Sequence, residues 1–248
     1  MTSNHFLVKQ RNLRPPHALV DEDEHHHLSN VLRVIPGREV WLVDEQGSTY
    51  RAEVEEVRRH QTRLLILEKR EARADKLRLV LAQALIKPKN MDLVIQKATE
   101  LGVGEIIPVE AARSVVRLSE REAGKLERWR KIAAEASKQS RRSILPVIQE
   151  PRAFLRFLQA RDEHRKLILC EAGGVNLREI LDSGPARQGV PEGATVVVLV
   201  GPEGGFTPEE QVLAIGRGFE AVSLGSRLLR SETAALAALA AISIFWDF

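Results

Sequence analysis

Cysteine is almost missing from this chain of 248 residues: Cys170 stands alone. A lone cysteine can form no internal disulfide and no multi-cysteine zinc site, and it fits a reducing compartment. Long apolar runs are missing too. Met1 to Arg14 has no apolar segment of the signal-peptide kind. The most apolar stretch, Ala234 to Trp246, is too short to span a bilayer, so a buried helix, a cytoplasmic protein and no membrane partner are expected. Charge of one sign has no large excess, since 37 Lys and Arg face 34 Asp and Glu for a net +3. That balance gives no warrant for nucleic-acid binding by bulk charge. Neither G-x-G-x-x-G nor G-x-x-x-x-G-K-S/T occurs, which disfavours a dinucleotide oxidoreductase and a P-loop nucleotidase. His25-His-His27 has no further ligand cluster in the sequence, so no metal is expected.

What is present suits a globular protein. Hydrophobic residues make 44% and charged residues 29% of the chain, enough to bury a sizeable core in one small and one medium domain. Residues 5 to 68 read as short strands at His5–Leu7, Glu39–Asp44, Tyr50–Val57 and Arg63–Leu67, with turns at Pro36-Gly37 and Gln46-Gly47-Ser48 and one helix near Glu24–Leu32. This pattern predicts a small β-barrel over residues 1–70. The charged segment Lys69–Lys76 lacks a core pattern and marks a boundary. From residue 74 to 248 strands alternate with helices: strands at Leu77–Leu85, Glu105–Val109, Lys166–Cys170, Thr195–Val200 and Val222–Leu224, and helices around Met91–Leu101, Leu126–Ala136, Phe154–Leu158, Thr207–Gly216 and from Ser231 onward. Such alternation predicts an α/β domain with a mostly parallel sheet. Thr195–Val200 is apolar on both faces, as a central strand requires. Thr207 and Glu210 form a capping box with Pro208 in the first turn.

Three glycine-bearing loops follow strands. They are Leu199-Val-Gly-Pro-Glu-Gly-Gly-Phe-Thr207, Leu224-Gly-Ser-Arg-Leu-Leu-Arg-Ser-Glu-Thr-Ala234 and Cys170-Glu-Ala-Gly-Gly174. In an open α/β sheet ligands bind beyond the carboxyl ends of strands, and glycine lets backbone N–H groups come close to them. Three such loops are expected to line one pocket. Charge is local as well: residues 113–142 hold 10 Lys or Arg against 4 Asp or Glu, the footprint of phosphate contact or of a solvated helix face.

Gly-Pro-Glu-Gly-Gly-Phe206 followed by Leu-Gly-Ser-Arg-Leu-Leu-Arg-Ser-Glu-Thr-Ala234 resembles the SPOUT methyltransferases. More narrowly it resembles the bacterial family that methylates N3 of a uridine in 16S ribosomal RNA. Ile95–Val103, Arg113–Val116 and Arg128–Arg141 match further, and His27–Arg33 with Pro36-Gly37 resembles that family's PUA-like domain. The resemblance covers nearly the whole chain. It departs at Ile86-Lys-Pro-Lys-Asn90, where the family carries a glycine between its lysines.

The resemblance implies a trefoil-knotted domain over residues 74–248, S-adenosylmethionine as methyl donor without a metal, a PUA-like RNA-binding domain over 1–70, and a homodimer with the final helix in its interface. Cofactor-binding positions would be Leu199, Gly201, Pro202, Glu203, Gly204, Gly205, Leu224, Gly225, Leu228 and Leu229. Arg230 would steady the uracil anion, with Glu232 or Glu203 taking the proton or orienting the arginine. RNA would be met by Arg11, Arg33, Arg113, Lys138, Arg141 and Arg142. Two other functions remain open on sequence: a 2′-O-ribose methyltransferase of the same fold, and a non-catalytic RNA-binding protein of ribosome assembly.

Overall fold

A computed structural model describes residues 5–71, 77–117, 122–140, 142, 144–159, 163–171, 173–182 and 193–246. The chain divides into two compact units, one of residues 1–73 with 137–145 and the other of 74–136 with 146–248.

The first unit is built on a six-stranded sheet. Its strands are β1 (His5–Leu7), β2 (Leu13–Arg14), β3 (His17–Asp21), β4 (Glu39–Val43), β5 (Thr49–Val57) and β6 (Gln61–Arg70). They run in the order β1-β4-β5-β6-β3-β2, antiparallel except for the β1–β4 pair. Alternation does the sorting. Along β5, Tyr50, Ala52 and Val54 face a core with Phe6, Leu42 and Leu64, while Arg51 and Glu53 point outward. The turn from β4 to β5 is held by Asp44, whose Oδ1 accepts the N–H groups of Gln46 and Ser48 at 2.9 Å. Gly47 sits there at φ +88°, a region open to glycine. The Tyr50 hydroxyl closes the arrangement by donating to Asp44 Oδ2 at 2.8 Å.

Two expectations shift here. The helix near Glu24–Leu32 starts earlier, as α1 (Glu22–His26), and runs on as a wider π turn over His27–Val31. The charged segment from Lys69 still belongs to β6 for its first two residues, because Arg70 lies over the Trp41 ring at 4.7 Å and pairs with Glu68. Residues 72–76 lie outside the described ones. β2 and β3 were not foreseen.

The second unit is a parallel sheet with helices on both faces. In chain order it contains β7 (Leu77–Ala84), α2 (Pro88–Glu100), β8 (Glu105–Glu110), α3 (Glu122–Ser140, whose last residues belong to the first unit), β9 (Val147–Ile148), β10 (Arg152–Ala153) and α4 (Phe154–Gln159). Then come β11 (Arg165–Leu169), β12 (Val175–Asn176), α5 (Leu177–Asp182), β13 (Ala194–Val200), α6 (Pro208–Ile215), β14 (Glu220–Ser223) and α7 (Ser231–Trp246). The strand order is β10-β8-β7-β13-β11-β14-β12, with β9 beside β8, and every pair is parallel.

β13 lies inside the sheet between β7 and β11, and its side chains alternate between two cores. Val196, Val198 and Val200 meet Met91, Ile95 and the buried face of α7, whereas Val197 and Leu199 meet Phe157, Phe206 and Phe219. Each such side chain contributes about 1.5–3 kcal/mol of gross burial, so a polar residue at any of these five positions would loosen one layer. In α2, Met91, Val94, Ile95 and Ala98 recur at helical spacing on the buried face, and Gly102 at φ +94° lets the chain leave the helix. The Thr207 capping box forms as expected. The elements β9, β10, β12 and α5 were not foreseen.

Candidate functional site

The carboxyl ends of three neighbouring strands, β13, β11 and β14, release the three glycine loops side by side. A cavity between them is lined by Leu169, Cys170 and Glu171 from the first loop region, Val200–Glu203 and Gly205 from the second, and Leu224, Gly225, Arg227–Leu229, Ser231 and Ala234 from the third. The loops touch closely: a Cβ at Gly205, where φ is +66°, would lie 3.2 Å from Glu171 Oε1. A Cβ at Gly201 would lie 3.3 Å from the Phe206 ring. The cavity is open to solvent on one side, with a volume of about 70 Å³, and Leu228 on its third loop is 80% exposed.

Polar side chains tie these loops to their neighbours. Ser231 Oγ donates to the Gly201 carbonyl at 2.5 Å and accepts from Gln83 Nε2 at 2.9 Å. The Lys87 N–H donates to Glu203 Oε1 at 3.1 Å. Glu210, besides capping α6, accepts the Ala112 N–H on Oε1 at 2.7 Å. Arg113 donates to the Gly204 carbonyl at 2.9 Å. The ends of β7, β8 and β13 are thus held in fixed relation by side-chain-to-backbone bonds. Two buried oxygens here, Gln83 Oε1 and Glu232 Oε2, have no hydrogen-bond partner among the described residues, a cost of about 1–3 kcal/mol each unless a ligand or water meets them. Burial pushes the Cys170 thiol above its ordinary value, so it stands protonated at neutral pH.

Of the positions expected to bind a cofactor, Gly201, Pro202, Glu203, Gly205, Leu224, Gly225, Leu228 and Leu229 line this cavity. Leu199 and Gly204 do not. The Leu199 side chain is fully buried in the core with Phe206, and a Cβ on Gly204 would meet Arg113 rather than the cavity. Arg230 is exposed just outside the lining, and Glu232 is buried in the first turn of α7. Glu171, Arg227 and Ser231 sit in motifs singled out from sequence yet were not named there. Gln83 was missed, and its signal was a polar residue inside an apolar strand.

The expected RNA-contacting residues are more scattered. Arg11 and Arg33 are exposed in the first unit, Arg11 lying 3.9 Å from Glu22 and Arg33 at φ +47°. Lys138 is engaged by Glu24 in the same unit, with its ammonium 2.5 Å from Oε1. Arg113 is exposed and bound to Gly204, and Arg142 is half-buried. Arg141 lies outside the described residues. Among the described residues no group of three or more His, Cys, Asp or Glu could hold a metal, and His25 is spent on Thr62. Nor is any described helix long and apolar enough to cross a membrane.

Known proteins share this arrangement. Residues 73–243 match the RNA methyltransferase domain family, and residues 20–67 match the RNA methyltransferase PUA domain family. The ribosomal RNA small subunit methyltransferase E of Bacillus subtilis (strain 168) is 34% identical over 239 residues, covering 96% of this chain and 93% of its own. The Synechocystis sp. protein of the same name is 32% identical, over 98% and 80%. Among solved structures, ribosomal RNA small subunit methyltransferase E from Neisseria gonorrhoeae, bound to S-adenosyl methionine, superposes with a TM-score of 0.84 at 33% identity, covering 99% of this chain and 98% of that one. A methyltransferase of Legionella pneumophila with bound cofactor SAM gives a TM-score of 0.82 at 32% identity, over 97% and 98%. A match that runs through both units and through every loop of the cavity leaves one assignment: this chain belongs to the ribosomal RNA small subunit methyltransferase E family.

Proposed function

We propose that the chain methylates N3 of a uridine in the 16S RNA of the small ribosomal subunit, with S-adenosylmethionine as donor. The observation that carries this reading is the cavity itself, built from the two most specific motifs at the carboxyl ends of β13 and β14, the two parallel strands that flank β11. The residues present suit that cofactor. Apolar walls from Val200, Leu224, Leu229 and Ala234 accept an adenine, the Gly201–Gly205 backbone allows close approach, and Glu171 and Glu203 favour a cationic ligand with hydroxyls. When bound, the cofactor supplies a methyl group on a positive sulfur, already a good electrophile.

The chain's task is then to present N3 and to manage its proton. A uracil N3–H is a weak acid, so its proton must leave during attack, and the negative charge spreads over two carbonyl oxygens. Arg230, exposed at the rim, offers a planar guanidinium that stays charged and meets such an anion. Glu232, buried in the first turn of α7 outside the cavity lining, would orient that arginine or take the proton. Glu203 already accepts from the Lys87 N–H and is better suited to holding the loop.

In this reading residues 1–70 form the PUA-like RNA-binding domain and 74–248 a trefoil-knotted SPOUT domain, working in the cytoplasm. Arg11, Arg33, Arg113 and Arg142 meet phosphates, and Lys138 serves the fold through Glu24 instead. The active form is a homodimer. Most of α7 is consumed by its own core, leaving Ile244 and Phe245, 63% and 54% exposed, as its contribution to the pairing. The decisive experiment is incubation of the protein with labelled S-adenosylmethionine and small ribosomal subunits, followed by nucleoside mass spectrometry. Label on N3 of one uridine is expected. Label on a ribose hydroxyl, or none with cofactor bound, would overturn the assignment.

A further inference from the structure

A second cavity, of about 350 Å³, opens in the same unit beside the segment 85–88. Its inner wall is apolar, made by Ile86, Met91, Val116 and Trp129. Its rim is cationic, with Lys89 and Lys125 beside Arg128. Arg128 is fixed in a side-on pair, Nη2 at 2.5 Å from Asp92 Oδ2 and Nε at 3.3 Å from Oδ1. That pairing ties the guanidinium to Asp92 at the edge of the apolar recess, which both residues line. A flat cation at the edge of an apolar slot, with further positive charge at the lip, is what a stacked nucleobase with its phosphate outside requires.

The slot stands apart from the cofactor cavity. The segment 85–88 runs between the two: Lys87 bonds to Glu203 through its N–H, while Leu85, Ile86 and Pro88 face the second cavity. A base seated there is therefore not the one being methylated. The wall is mostly apolar, so it favours the face of a base over its edge.

We propose that this recess holds an unstacked nucleotide of the RNA other than the methylated one, its base against Arg128 and the apolar wall and its phosphate near Lys89. The proposal rests on the methyltransferase reading only in naming RNA as the polymer. Asp92 is a positioning residue in it, acting through Arg128.

The test uses the full-length protein and fluorescently labelled hexanucleotides of adenylate and of uridylate, with an abasic hexamer as control, read by anisotropy. Arg128→Ala is expected to weaken both base-bearing hexamers about tenfold, within the range for loss of one stacking partner. Arg128→Lys keeps the charge and loses the plane, so it should weaken them as much while leaving the salt slope unchanged. Lys89→Ala should flatten that slope by about one phosphate contact. Val116→Trp, filling the recess from a half-buried loop position, should match Arg128→Ala. Asp92→Ala should weaken binding and Asp92→Glu should restore part of it, which a bulk structural role for Asp92 would not produce. Calorimetry with S-adenosylmethionine reports whether each variant is folded. Wild-type affinity in Arg128→Lys or in Val116→Trp, or equal binding of the abasic hexamer, would overturn the proposal. A wild-type chain that takes no cofactor would instead sink the methyltransferase reading, and the recess would still stand or fall on these variants.

Discussion

Replacing Ser231 by alanine tests whether the cavity depends on the hydroxyl that joins three elements. That oxygen donates to the Gly201 carbonyl at 2.5 Å and accepts from Gln83 Nε2 at 2.9 Å. Ser231→Ala removes both bonds. Gln83 keeps a second acceptor, the Ala84 carbonyl at 3.1 Å, so most of the damage falls on the Gly201 carbonyl. One orphaned acceptor costs about 1–3 kcal/mol and the second bond about 0.5–1.5 kcal/mol, and a total near 2 kcal/mol lowers the melting temperature of a chain this size by about 4–8 °C. Gly201 also lines the cavity. Release of its carbonyl should weaken S-adenosylmethionine about tenfold, or ~1.4 kcal/mol. Calorimetry and thermal melting read the two effects. Because Gln83 and Ser231 share one network, Gln83→Leu combined with Ser231→Ala should cost less than the sum of the single changes. Unchanged melting and unchanged cofactor affinity in Ser231→Ala, or strict additivity in the double variant, would refute the reasoning.

Four further outcomes are expected. Gly225 stands at φ +108° with nothing within 4 Å of an added Cβ. Gly225→Ala therefore costs about 1–3 kcal/mol of backbone strain and lowers cofactor affinity, whereas Gly204→Ala, whose Cβ meets Arg113 at an ordinary 3.5 Å, leaves it intact in the same titration. Arg230→Ala should slow methyl transfer about 100-fold with cofactor affinity retained, and Arg230→Lys should recover little; single-turnover kinetics decide. Cys170, half-buried at the cavity wall with its thiol pushed up by burial, should react with iodoacetamide more slowly than a free thiol, and cofactor should slow it further. Absence of that protection would separate Cys170 from the bound ligand. Burial and the bond to Asp44 raise Tyr50 to about 12, so its contribution to stability is complete below its ordinary pKa near 10 and is lost as pH rises toward 12. Denaturation of wild type across that range should show the loss, and Tyr50→Phe should abolish it.

Legibility varied with the length scale of the signal. β13, α2, α6 and α7 were readable because apolar spacing, Gly102 and the Thr207 box are local and each agrees with the tertiary packing that follows. The cavity loops were readable because glycine after an apolar strand carries its own meaning. What stayed hidden depends on partners distant in sequence. β9, β10 and β12 are two residues long and exist only because β8 and β14 pair with them. The bond between Gln83 and Ser231 joins residues 148 apart, and nothing near either of them announces it. Lys138 counts as surplus charge in sequence, but Glu24, far upstream, absorbs it.

The grouping of residues 137–145 with residues 1–73 has a consequence for how the molecule is made. The N-terminal unit is discontinuous, so a ribosome that has released only its first 73 residues has not yet released all of it. Glu24, nearly buried, waits for a lysine more than a hundred positions later. Between the two lie β7, α2 and β8, which must be synthesised first. The unit at the start of the chain is therefore finished only once part of the second is already outside the ribosome. A fragment ending at residue 73 would carry an unneutralised carboxylate at Glu24, and its solubility and melting should improve when residues 137–145 are supplied on the same chain.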